Sequence, residues 1–91
     1  MTDEKKKAVR LLKTAKGQME GIIKMIEDDR YCIDIANQLM ATQALIKKAD
    51  VNILQGHIKN CVADAFDSND LNERNAKVEE FNNVLDKLLS K

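Results

Sequence analysis

An all-α protein is predicted, a three-helix protomer with a long central helix, and three observations predict it. Proline is absent and glycine occurs only three times in 91 residues, so little in the chain stops a helix once it has started. Alanine, leucine, lysine, glutamate, glutamine and methionine, which lose little on entering a helix, are abundant. Apolar residues recur at spacings of three and four between charged ones. Aromatics make up only 3% of the chain, so the core is aliphatic and thin, and one domain spanning residues 1–91 would gain from association with copies of itself.

The first helix is expected from about Asp3 to Glu27. At 100° per residue Ala8, Leu11, Leu12, Ala15, Met19, Ile22 and Ile26 gather on one side, with Lys6, Arg10, Lys13 and Lys24 opposite. Gly17 and Gly21, four apart, leave room for another backbone or are simply tolerated, at about 1 kcal/mol each. The run EDDRY breaks the apolar pattern, and Asp28 or Asp29 is expected to cap a second helix running from about Arg30 to Phe66. Such a rod is roughly 50 Å long. Its apolar residues, among them Ile33, Leu39, Met40, Ile46, Ile53, Leu54 and Ile58, spread over more than one face, so it packs on two sides. DSNDLN, residues 67–72, carries loop and cap chemistry, and a third helix to about Leu89 presents Val78, Phe81, Val84, Leu85 and Leu88.

Net charge is zero but unevenly distributed. Lys5, Lys6, Lys7, Arg10, Lys13 and Lys16 form an acid-free stretch, whereas the chain from Cys61 onward is acidic, so only one end suits a polyanion. The charged N-terminus MTDEKKKAVR lacks the apolar core of an export signal, and no run of about 18 apolar residues is present to span a bilayer. A cytoplasmic protein without membrane contact is expected. In a reducing compartment Cys32 and Cys61 read as a ligand or reactive pair rather than a structural disulfide.

His57 and Cys61 lie four residues apart, on one face of the second helix. Cys32 lies about 43 Å away along the same helix, yet 29 steps of 100° return both thiols to within about 20° of one direction. One chain cannot bring them together. Two such helices, paired antiparallel about a twofold axis near residues 46 and 47, set Leu39 against Leu54, Met40 against Ile53, Ala36 against His57 and Cys32 against Cys61 of the partner subunit. Two thiolates and one imidazole suit trigonal Cu(I), whereas zinc wants a fourth ligand. Two reduced cysteines and a surface histidine in a small helical protein are the plainer alternative.

In RYCID at residues 30–34, GHIKNCVADAF at 56–66 and KGQMEGIIKMIEDD before them, the chain resembles the copper-sensitive operon repressor family. These are bacterial all-helical repressors that sense copper, nickel or cobalt, formaldehyde or persulfides. The resemblance covers about residues 10–66 and implies a Cu(I) site made by Cys32 of one subunit with His57 and Cys61 of its neighbour. It implies Tyr31 and Glu80 as outer-shell residues, and antiparallel dimers assembling into dimers of dimers. It also implies double-stranded operator DNA as partner, released when the site fills. The family pattern RLxRxxGQxxG is kept at Gln18, but Leu11 and Thr14 stand in place of its arginines and Glu20 stands where a base is frequent; Gln18, Lys6, Arg10, Lys13, Lys16 and Lys48 are the candidate DNA contacts.

Three functions follow from these residues. The first is a ligand-releasable repressor, with Cu(I) as the regulatory ligand and no catalysis. The second keeps the fold but needs no cofactor: Cys32 attacks a persulfide and Cys61 of the partner subunit resolves it, giving a disulfide or polysulfide bridge. The third is a helical metal-buffering or interaction module that does not touch DNA. An enzyme is not expected, because no phosphate loop or nucleophile with a partnered base is present in one chain.

Overall fold

The computed structural model describes residues 1–62 and 70–90, side chains 61 and 62 excepted. The expected three-helix protomer is observed. Helix α1 spans Asp3–Glu27, α2 spans Cys32–His57, and α3 spans Leu71–Leu89. α2 runs on into a π-helical turn, Ile58–Val62. The part of the expected second helix beyond Val62, to Phe66, lies outside the described residues, as do positions 67–69 of the expected loop.

α1 begins where its first cap is written. The Thr2 hydroxyl accepts the Lys5 amide at 3.2 Å, and Asp3 and Glu4 sit in the first turn, where the helix dipole favours acids. α3 starts the same way, with the Asp70 carboxylate accepting the amides of Asn72 and Glu73 at 3.0 and 3.2 Å.

The connection between α1 and α2 corrects the sequence expectation. Neither Asp28 nor Asp29 caps α2, whose N-cap is Tyr31, without a side-chain bond. The two aspartates instead close α1. Asp28 is its C-cap, and Asp29 takes a left-handed conformation with φ 57°. The Asp29 amide bonds Ile26 O at 3.1 Å and the Arg30 amide bonds Met25 O at 2.9 Å, the paired bonds of a Schellman closure. Aspartate tolerates left-handed backbone better than most residues, which lets it stand where glycine usually does.

α1 and α2 pack as an antiparallel hairpin along a seam of small residues. Ala8, Ala15 and Ile22 of α1 and Thr42, Ala49 and Gly56 of α2 are buried, flanked by half-buried Leu11, Gln18, Met25, Ile35, Leu45 and Asn52. On α1 these positions alternate by three and four throughout, and on α2 they do so from Thr42 onward, the spacing of a coiled-coil seam. Midway, the Thr42 hydroxyl donates to Gln18 Oε1 at 2.8 Å.

The seam is narrower than the expected apolar stripe of α1. Leu12, Met19 and Ile26 stay exposed, with Ile23, on one flank, and Leu39, Ile46 and Ile53 of α2 are also exposed. A single facing helix covers only a limited arc of α1, so the remaining apolar residues turn outward. α3 meets the hairpin at the π turn and beside the outer side of α2. Its half-buried face runs through Arg74, Lys77, Phe81, Leu85 and Leu88, whereas Val78 and Val84 of the expected stripe are exposed. The result is a slab of 59 × 28 × 13 Å.

Candidate functional site

The two ends of α2 carry different halves of the predicted ligand set. At its start stand Tyr31 and Cys32, both exposed, with Cys32 a free thiol. At its end stands half-buried His57, in a cleft walled by Ile53, Leu54, Glu80, Phe81 and Val84. Glu80 therefore lies beside His57, while Tyr31 lies beside Cys32. Some 25 residues of α-helix, about 37 Å, separate the pairs. Among the described residues of one chain, no three His, Cys, Asp or Glu side chains gather to hold a metal ion.

The π turn alters the geometry expected for Cys61. Residues bonded i to i+5 wind through fewer degrees each than in an α-helix, so the Cys61 backbone does not keep the α-helical alignment with Cys32. Its side chain lies outside the described residues. The Asn60 side-chain amide donates to Gly56 O at 3.0 Å, satisfying a carbonyl at the point where the helix changes pitch.

The first turn of α1 lies against this region. Lys59 Nζ is paired with the Glu4 carboxylate, and a Cβ added at Gly56 would come within 3.2 Å of Glu4 Cβ. The hydrogen bond from Lys59 holds the Glu4 carboxyl below the usual carboxylate range, and the same bond raises the Lys59 ammonium. Both groups thus stay charged near neutral pH. Thr2 and Lys5 line a second cleft together with Ile53, Gly56, His57 and Asn60, so His57 borders the beginning of α1.

Basic residues gather on the opposite flank of the hairpin. Lys7, Arg10, Leu11 and Thr14 of α1 and Lys48 and Asn52 of α2 line one groove. Arg10 and Lys48 were expected to act together and do lie together. Lys7 belongs with them, although it is not among the expected DNA contacts; around α1 it falls beside the seam rather than opposite it. Lys6 and Lys13 lie within about 60° of Arg10 around the helix, whereas Lys16 is about 120° away, toward the apolar flank. Gln18 corrects the expected grouping: it is half-buried in the seam against Thr42, off the basic flank.

The family model for metal-sensitive transcriptional repressors matches residues 4–87. The copper-sensing transcriptional repressor CsoR of Bacillus subtilis is 45% identical over 67 residues, 74% of this chain and 66% of that protein. CsoR of Mycobacterium ulcerans is 42% identical over 65 residues, 71% of this chain and 56% of that one. The matched segment thus spans somewhat more than half of these curated relatives. The crystal structure of CsoR with Cu(I) from Geobacillus thermodenitrificans superposes with a TM-score of 0.83 at 31% identity, covering 99% of this chain and 91% of that one. Similar in sequence across the hairpin and in fold along almost its whole length, the chain belongs to the metal-sensitive transcriptional repressor family.

Proposed function

We propose that the protein is a cytoplasmic transcriptional repressor, acting as one domain per chain, that holds operator DNA and releases it when Cu(I) occupies a site shared by two protomers. The observation that carries this reading is the division of the candidate ligands between opposite ends of α2, Cys32 with Tyr31 at one and His57 with Glu80 at the other. An antiparallel twofold pairing of α2 joins unlike ends and makes two equivalent sites. The CsoR relatives, and the Cu(I) in the Geobacillus protein, support the choice of ion.

The donor set fits. Cys32 of one protomer with His57 and Cys61 of its partner would hold Cu(I), a soft cation for which two thiolates and an imidazole suffice. When bound, it supplies a three-point link between subunits. The chain's own residues do the rest. Ala36 leaves space for the partner's imidazole, His57 passes the constraint to Glu80 and α3 across their shared cleft, and Lys7, Arg10 and Lys48 contact phosphates. By linkage, Cu(I) affinity falls on DNA by the same factor by which DNA affinity falls with Cu(I). Fluorescence anisotropy on the promoter fragment tests the reading: stoichiometric Cu(I) should weaken binding at least tenfold, and unchanged affinity would refute it.

Exposure of the Cys32 thiol favours one alternative, reactive-sulfur sensing through Cys32 and Cys61 of the partner subunit. Mass spectrometry after treatment with a sulfide donor separates the two: linked dimers with added sulfur support this chemistry, and unmodified thiols with tight Cu(I) binding support the first.

A further inference from the structure

The turn that bears the sensor residues is fastened to the end of the helix that bears the basic ones. Ile58–Val62 is π-helical, directly after His57 and including Cys61. A π turn is a rare, wider winding that occurs mostly as a single turn within a helix, frequently at functional sites. Three contacts hold this one. The Asn60 side chain bonds Gly56 O. Gly56, having no Cβ, lets Glu4 Cβ approach closely. Lys59 pairs with Glu4, whose side chain is only 13% exposed. Glu4 sits in the first turn of α1, followed at once by Lys5, Lys6 and Lys7, and one turn later by Arg10.

We propose that Glu4 and Lys59 are positioning residues that tie the winding of the 58–62 turn to the placement of the basic first turns of α1. This rests on the sensor reading above. Ligand capture by His57 and Cys61 demands one particular winding between them. A change of winding rotates Lys59 relative to Gly56, and the Lys59 grip on Glu4 moves the start of α1, with Lys7 and Arg10, relative to Lys48. The signal therefore reaches the DNA face within one protomer, by a route separate from that through Glu80 and α3. The route requires that the turn take a second winding when the ligand binds, a discrete element of the kind through which distant sites couple.

The test uses Glu4→Gln, Lys59→Gln and the exchanged pair Glu4→Lys with Lys59→Glu in the full chain. Operator affinity is measured with and without Cu(I), Cu(I) affinity is measured without DNA, and amide hydrogen exchange is followed across 58–62 in the metal-free protein. Each single variant should exchange faster there. Each should lose about threefold to fivefold of the Cu(I)-induced weakening of DNA binding, the most an exposed ion pair carries. Cu(I) affinity without DNA should stay within about twofold of wild type, and the exchanged pair should recover both readouts. Single variants with wild-type coupling and exchange overturn the proposal, as does an exchanged pair that recovers neither. A wild-type protein that keeps its DNA at saturating Cu(I) refutes the sensor reading instead; exchange then decides the tie alone, faster in the singles and recovered in the pair if it exists, unchanged if it does not.

Discussion

Thr42 is 3% exposed, and its hydroxyl bonds Gln18 across the middle of a mostly small and aliphatic seam. Replacing it with valine keeps the shape and strands the half-buried Gln18 Oε1. Thr42→Val should therefore cost about 1–2 kcal/mol in chemical denaturation, and adding Gln18→Leu should restore much of the loss, because removing both partners leaves nothing unsatisfied. Arg10 and Lys48 make the complementary test on the basic flank. Changing either to glutamine should weaken operator binding and reduce the slope of log affinity against log salt by about one. The same change at Lys16, turned toward the apolar flank, should leave that slope unaltered. The pairing of Thr42 with Gln18 was not legible in the sequence, because Gln18 stands beside lysines and only the hairpin register reveals that it faces the other helix.

Each helix was legible wherever a cap or a period announced it. α1 runs over the expected Asp3–Glu27 because a threonine with acids behind it opens a long amphipathic stretch, and α3 follows Asp70 for a similar reason. The connection and the π turn were not legible. Asp29 reads as an N-cap in sequence and serves instead in left-handed backbone, and nothing in IKNCV distinguishes a wider winding from an ordinary one. Both features make predictions. Asp29→Gly removes the penalty of a side chain at φ 57° and should raise stability by about 0.5–1 kcal/mol. Gly17→Ala and Gly21→Ala, where an added Cβ meets nothing within 4 Å, should each gain about 0.5–1 kcal/mol. Gly56→Ala should gain nothing and should loosen the start of α1, because its Cβ would press on Glu4. Thermal melts of the four variants, with amide exchange over the first turns of α1, check all of these.

As a whole the protomer is more open than a compact domain of its length. Its radius of gyration is 17.7 Å, against roughly 12 Å for a compact domain of this length. Its accessible surface is 6946 Å², against roughly 5,400 Å² expected for its mass. That surplus, about 1,500 Å² per protomer, exceeds the roughly 800 Å² each partner of a standard interface buries and falls in the range of an obligate dimer, and the exposed Leu39, Ile46 and Ile53 lie on α2 as a ready-made apolar seam. Sedimentation at micromolar concentration should give a dimer or tetramer, and Leu39→Glu should shift it toward monomer with loss of helix. The proposal of an intersubunit site rests on the length of α2, which runs unbroken over Cys32–His57 and so holds residues 32 and 57 apart within one protomer, whatever the winding of the turn that follows. Mixed dimers test that claim most directly. One protomer carries Cys32→Ala, the other carries His57→Ala with Cys61→Ala, and each homodimer alone should bind no Cu(I) tightly. Purified heterodimers should recover one tight Cu(I) per dimer, from Cys32 of the second chain and His57 and Cys61 of the first; heterodimers as empty as the two parents would contradict a site shared between protomers.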